Sequence, residues 1–206
     1  MNITPFSLTG RFVRLEPLSE SHTPDLCRVG LDERIWRYMR YGMVLTEEQM
    51  HTWVLNILER AAKGNEIPFA VILLETGRAV GATRFLTIQP DQRNLEIGGT
   101  WYGIDYQRTI VNTECKYLML KHAFEVMGII RVQIKTDSRN LASQRAIERL
   151  GAVKEGVLRK HMILPDGYIR DSVIYSILDD EWPAVKEHLE QKMRERKDSG
   201  IKILDR

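Results

Sequence analysis

Hydrophobic and polar positions follow one another along this chain in runs whose spacing defines most of its elements. Phe12 to Glu16 reads as a short opening strand, and mixed helical segments follow from about Thr23 to Met39. Thr46 with Gln49 makes a capping-box pattern, and behind it Met50, Trp53, Val54, Ile57, Leu58 and Ala61 recur at helical spacing. Two β-rich runs, Pro68 to Glu75 and Arg78 to Ile88, meet at Thr76-Gly77 as a hairpin. A third run, Asn94 to Tyr102, follows the polar turn Pro90-Asp91-Gln92-Arg93. Between Val111 and Met127 apolar residues lie nearly all round a helix, leaving a thin polar strip of Glu114, Lys121 and Glu125, a pattern that predicts burial.

Arg131 to Thr136 alternates as a strand, and Asn140 then stands as the N-cap of a short helix ending at Gly151. Val153 to Leu164 and Tyr168 to Leu178 flank Pro165-Asp166-Gly167, whose residues favour a tight turn, so the two runs form a long antiparallel hairpin. Trp182, Val185, Leu189 and Met193 mark a last helix. The order predicts a mixed α/β (α+β) fold, a mostly antiparallel sheet of about seven strands flanked by helices. No repeat, low-complexity tract or linker divides it, so one domain is expected over residues 1–197, with a polar tail over 198–206.

Composition narrows the class. With 43% hydrophobic and 28% charged residues among 206, the chain has the make-up of a globular protein and not of a disordered one. Thirty Lys and Arg against 28 Asp and Glu leave +2, too little for non-specific nucleic-acid binding. The segment from Lys186 to Arg206 carries seven Lys or Arg against five Asp or Glu, so the rest of the chain is formally neutral. Cys27 and Cys115 are too few for a disulfide framework or zinc cluster, which fits a reducing cytoplasm. Arg11 and Arg14 interrupt the apolar start, and the longest apolar run, FAVILL from Phe69, has strand length, so neither a signal peptide nor a membrane span is expected.

Several chemistries lack their motifs. The five histidines have no metal-ligand spacing, and GxSxG, GxxxxGK[ST] and GxGxxG are all absent. His122 falls on the buried helix near Met119 and Val126 and reads as structural. What remains is a strand ending in Leu95-Glu96-Ile97-Gly98-Gly99-Thr100-Trp101 that feeds a helix start through Tyr106-Gln107-Arg108-Thr109. Outward N–H groups and the helix dipole make such a start an anion site, although most helix starts bind only water. Asn140 and Ser143 have a sufficient reading as cap and first turn, and Glu96 reads equally as a solvent-facing carboxylate or a functional one.

Five segments taken in order, RFVRLEPL, LEIGGTW, YQRTIVNTECKYLML, TDSRNLASQRAIERLGA and LPDGYIRDSVIYSI, resemble the GCN5-related N-acetyltransferase (GNAT) superfamily. The likeness covers about Arg11 to Trp182 and is nearer to the RimJ/RimL branch of ribosomal-protein N-terminal acetyltransferases. It implies acetyl-CoA as acyl donor, and the scattered histidines give no reason to expect a metal. The cofactor contacts it implies are Gln107, Arg108, Thr109, Ile110, Val111, Asn112 and Thr113 around the pyrophosphate, Thr100 and Trp101 on the strand, and Asn140 on the pantetheine arm. The chain departs from the family in placing Ile110 and Asn112 at two small-residue positions, and Ile147 where many members have a tyrosine.

The resemblance further implies Ser143 as the hydroxyl beside the departing thiolate and Glu96 as the group that takes the amine proton. Deprotonating an amine at pH 7 costs roughly 1.4 kcal/mol for an α-amine but roughly 4.6 for a lysine, so a single carboxylate suits an α-amine better. Arg170, Asp171 and Tyr175 are candidates for one wall of the acceptor cleft, with structural pairing as their alternative, and Trp36, Tyr38 and Arg40 for the other wall. The expected activity is acetyl transfer to a peptide or protein α-amine, directly from acetyl-CoA in a ternary complex. A small-molecule amine acceptor and a non-catalytic acyl-CoA-binding protein are the alternatives. The expected state is a monomer or homodimer.

Overall fold

The computed structural model describes residues 6–195, so the tail expected over 198–206 lies outside the described residues. A short strand β1 (Leu8–Thr9) pairs with β2 (Val13–Pro17), and three helices follow, α1 (Thr23–Gly30), α2 (Glu33–Trp36) and α3 (Glu47–Ala61). Then come β3 (Ile67–Leu73), β4 (Arg78–Gln89), β5 (Asn94–Tyr102) and α4 (Ile110–Glu125). The chain continues through β6 (Arg131–Asp137), α5 (Leu141–Glu148), β7 (Val153–Ile163), β8 (Ile169–Leu178) and α6 (Trp182–Glu195). The strands form one eight-stranded sheet in the order β1-β2-β3-β4-β5-β6-β8-β7, the two-residue β1 being the strand that the sequence pattern does not reveal. Every neighbouring pair is antiparallel except β5 with β6. No described helix is long and apolar enough to cross a membrane.

Local chemistry sets several boundaries as expected. Thr46 Oγ1 accepts from the Gln49 N–H at 3.2 Å while Gln49 Oε1 accepts from the Thr46 N–H, closing the capping box of α3. Asn140 Oδ1 accepts from the Ser143 N–H at 3.0 Å and starts α5. Gly77 and Gly167, with φ of 68° and 83°, take the left-handed turn positions that side chains resist.

The sheet has two unlike faces. On one, α4, α5 and α6 enclose the main core, in which Val111, Cys115 and Met119 of α4 meet Phe85, Ile97 and Val132 of the strands. On the other, α1, α2 and α3 pack on residues contributed by β3, β4 and β5, with Trp36, Trp53 and Trp101 at the centre. The face of β6 and β8 turned away from α4 lies beyond that second layer.

Burial of α4 is as its apolar pattern predicts, but the polar strip is not. Lys121 and Glu125 are exposed, whereas Glu114 is 4% exposed. Its carboxylate accepts from the backbone N–H groups of Arg11, Phe12 and Val13 at 2.7, 2.7 and 2.8 Å. Gly10 lies directly against it, for a Cβ there would stand 2.5 Å from Glu114 Cδ. A buried carboxylate is tolerated when several donors satisfy it, so Glu114 clamps the first long strand to the central helix. His122 stacks on Phe6 with ring centroids 4.0 Å apart, in keeping with a structural role.

Glu114→Ala strands three backbone donors at the edge of the core. It is expected to lower unfolding free energy by about 3–5 kcal/mol in urea titrations, with Glu114→Gln intermediate. A loss below about 1 kcal/mol would show that the clamp is replaceable by water.

Candidate active site

Pairing between β5 and β6 spans only Asn94 with Arg131, Leu95 with Val132 and Glu96 with Gln133. From Ile97 onward β5 has no strand neighbour on that side, so its main-chain groups border a wedge-shaped gap between the two strands. Main-chain donors and acceptors in such a gap require partners from solvent or a ligand. On the other side of β5 the register with β4 shifts, Arg84 opposing Gly98 and Ala82 opposing Trp101, so that Gly99 and Thr100 together face the single residue Thr83. Gly99 has φ of 57°, the left-handed geometry of a glycine bulge.

The bulge is held from the α4 side. Thr100 Oγ1 lies 2.8 Å from Thr83 Oγ1, and Lys116 Nζ donates to Thr100 Oγ1 at 2.6 Å and reaches Thr83 Oγ1 at 3.4 Å. Lys116 is 5% exposed, and burial pushes its ammonium down to about 8. Thr100 and Trp101, both expected at the cofactor, turn their side chains elsewhere. The Thr100 hydroxyl belongs to this network and the Trp101 indole to the tryptophan cluster, so only their main chain borders the gap.

At the mouth of the gap, Thr109 is the N-cap of α4, its Oγ1 accepting from the Val111 N–H and donating to the Tyr106 carbonyl. Gln107 Nε2 donates to the Tyr102 carbonyl at 3.1 Å, which fixes the loop to the end of β5. Ile110 and Asn112, the positions where the family pattern has small residues, lie within the first helical turn, where φ is ordinary for any residue. The left-handed residue of this loop is instead Arg108, with φ of 61°. Ile110 and Val111 are buried and their side chains face the core, so a ligand at the helix start would meet main chain together with Asn112 and Thr113, which remain part-exposed.

Glu96 occupies the last paired position, on the face opposite α4, because its neighbours Leu95 and Ile97 point into the main core. It is 5% exposed and therefore not the solvent-facing carboxylate that alternation allows. Lys135 Nζ donates to its Oε2 at 2.8 Å and Gln133 Nε2 to the same oxygen at 3.3 Å. Arg84 on β4 shares this face, as do Arg170 and Ser172 on β8, the Arg170 Nε donating to Ser172 Oγ at 2.9 Å.

Residues 37–42 close the far side. Arg170 Nη1 donates to the Tyr38 carbonyl at 3.4 Å, Arg139 stacks over the rings of Tyr38 and Tyr168, and Gly42 packs against Pro165. Of the proposed walls, Arg170, Tyr38 and Arg40 therefore come together. Tyr175 is buried and its hydroxyl donates to Glu148 on α5, Asp171 accepts from the Lys160 N–H, and Trp36 donates to the Gly30 carbonyl, all three structural. Ile147 is packed in the main core and leaves no hydroxyl there, while Ser143 lies part-exposed in the first turn of α5. The residues that the sequence pattern does not single out are Arg84, Lys135 and Lys116. Arg84 did carry a signal, a lone cation inside the apolar run from Ala79 to Ile88.

Residues 13–153 match the family model described as Acetyltransferase (GNAT) domain. Among solved structures, one from T. thermophilus assigned as an acetyltransferase is 39% identical, with 94% of this chain and 100% of that chain covered and a TM-score of 0.85. RimJ of Mycobacterium smegmatis in complex with CoA-disulfide is 21% identical, with 92% and 96% covered and a TM-score of 0.77, a likeness of fold. YdaF of Bacillus subtilis (strain 168), assigned as a ribosomal N-acetyltransferase, is 30% identical over 115 residues, covering 55% of this chain and 61% of its own.

The buried ammonium beneath the bulge gives a pH signature. The unfolded chain holds the Lys116 proton to about 10.5 and the folded chain only to about 8, so between those values the unfolded state binds more protons and stability rises with pH. Lys116→Met is expected to be more stable than the parent below pH 8, the gain shrinking as pH climbs to about 10.5. Urea midpoints of both proteins across pH 7 to 10.5 check this, and a constant difference would refute it.

Proposed function

The chain belongs to the GNAT family of N-acetyltransferases, and from that premise we propose that it transfers acetyl from acetyl-CoA to the α-amine of a peptide or protein, bound on the sheet face that carries Glu96. The observation that supports this reading is the charge of the cleft. Arg40, Arg84, Lys135, Arg139 and Arg170 gather there against the carboxylates of Glu66, Glu96 and Asp137. A second ammonium about 4 Å from one of these cations would meet roughly 4 kcal/mol of repulsion at an effective dielectric near 20, which disfavours polyamines and aminoglycosides. One carboxylate able to take a proton matches the lower cost of freeing an α-amine.

The residues present fit acetyl-CoA. The unpaired stretch of β5 offers main-chain partners to an extended amide-bearing arm, and the capped start of α4 offers N–H groups to a pyrophosphate, with Gln107 to Thr113 as its holders. Asn140 uses its side-chain oxygen as a cap, which leaves its NH₂ for the arm. Acetyl-CoA supplies an electrophilic thioester carbonyl. Glu96 takes the amine proton on Oε1, since both of its bonds fall on Oε2. A main-chain N–H of the strand past Glu96, near Gly98 to Trp101, receives the carbonyl oxygen. Ser143 donates to the departing thiolate, a role that needs only a modest donor because a thiol has pKa near 8.5.

A small-molecule amine is the second reading, favoured by the way residues 37–42 reach across to the turn at Pro165 and narrow the cleft. Thiol release from acetyl-CoA with unblocked peptides, N-acetylated peptides and spermidine separates the two. Glu96→Gln and Ser143→Ala are each expected to lower kcat by at least about tenfold on the preferred acceptor. A smaller loss in both would remove these residues from the chemistry.

A further inference from the structure

We propose that the acceptor is an amine that carries a carboxylate close by, received by the guanidinium groups of Arg84 and Arg40 beside Glu96; this rests on the reading of Glu96 as the acceptor's face. Charge around Glu66 is unbalanced. Glu66 is 8% exposed and is the carboxylate shared by Arg40 at 4.0 Å, Arg60 at 3.2 Å and Arg84 at 3.1 Å. Arg84 has a side chain only 2% exposed, and its Nε, Nη1 and Nη2 make no hydrogen bond among the described residues. The Glu66 oxygen is near Nη1 but not aligned to accept from it.

A guanidinium has five N–H donors, and buried donors left unmatched weigh against the folded state. Burial and the nearby charge of Arg40 push Arg84 down to about 9, which leaves it a cation at neutral pH. The arrangement is costly for folding and becomes favourable once a planar anion satisfies the fork, the geometry at which arginine binds carboxylates.

Its position decides which anion. Thr83 faces Met119 of α4, so Arg84 points to the opposite face, away from the helix start proposed for the CoA pyrophosphate. Its Nε would lie 2.5 Å from a Cβ at Gly99, so it abuts the bulge itself, and Glu96 and Arg40 both lie within its electrostatic reach. Arg170, across the cleft on β8, also feels Glu96 and Arg40. An acceptor whose amine lies at Glu96 thus has the charges of Arg84 and Arg40 on its own side of the sheet. Two sources share the chemistry, an acidic side chain at the second residue of a peptide and the α-carboxylate of a free amino acid.

The test uses acetyl transfer to matched pairs, the C-terminally amidated peptides Ser-Asp-Ala-Ala and Ser-Asn-Ala-Ala, and serine with serinamide. In at least one pair the carboxylate acceptor is expected to exceed its amide partner by tenfold or more in kcat/KM, mainly through KM, and the pair that responds identifies the source. Arg84→Met is expected to bring that ratio within twofold, the loss falling on the carboxylate acceptor. Arg40→Met, at a more exposed position, is expected to do the same and stands in should the Arg84 variant not fold. N-acetylaspartate is expected to raise the Tm of the parent and not of the variants, a readout independent of turnover. Ratios within twofold for both pairs, with all four amines acetylated, would overturn the inference and leave the α-amine reading standing. Spermidine as the preferred acceptor would overturn both.

Discussion

The parallel ladder between β5 and β6 stops after Glu96, and the candidate site residues are grouped around that stop. Two strands that part leave main-chain groups without sheet partners, a cost that a fold tolerates where a ligand makes up the missing bonds. The glycine bulge lies just past the last pair, α4 begins at the mouth of the opening, and Glu96 occupies the last paired position itself. Lys116, Thr83 and Thr100 brace the bulge from the core side, so that the opening is a fixed feature of the sheet and not a frayed edge.

Three buried charges differ in how far the fold satisfies them. Glu114 is satisfied outright by three backbone donors and clamps β2 to α4. Glu96 is bound on one oxygen by Lys135 and Gln133, with the other oxygen turned toward Gly98. Arg84 shares a carboxylate with two other guanidiniums and makes no aligned bond. Burial is common to all three and so does not distinguish them. The degree to which each is satisfied does, since buried charges and donors without hydrogen-bond partners are costly to the fold.

The legible parts were those set by local pattern. The capping box at Thr46, the Asn140 cap, the Thr76-Gly77 and Pro165-Asp166-Gly167 turns and the buried character of α4 follow from neighbours within a few residues. The misplaced residues were those whose partners lie far along the chain. Glu114 looked like part of a solvent strip because its partners, Arg11 to Val13, are about a hundred positions away. Arg170, Asp171 and Tyr175 looked equivalent as wall candidates, yet strand alternation and the different surroundings of the two faces send them to three different places.

Family membership and the capped helix start at Thr109 were thus carried by the sequence, since motif spacing and helix-start chemistry are properties of contiguous residues. The sequence also presented Glu96 and Ser143 as candidates. What only the tertiary structure decided was the company each residue keeps. Sheet order brings Arg84 of β4, Glu96 of β5, Lys135 of β6 and Arg170 of β8 onto one face, and the loop at Tyr38 to Tyr41 folds over them. Near-neutral net charge gave no sign of a cationic cleft, because net charge sums over the whole chain, whereas an acceptor meets only the charges within a few ångströms of it.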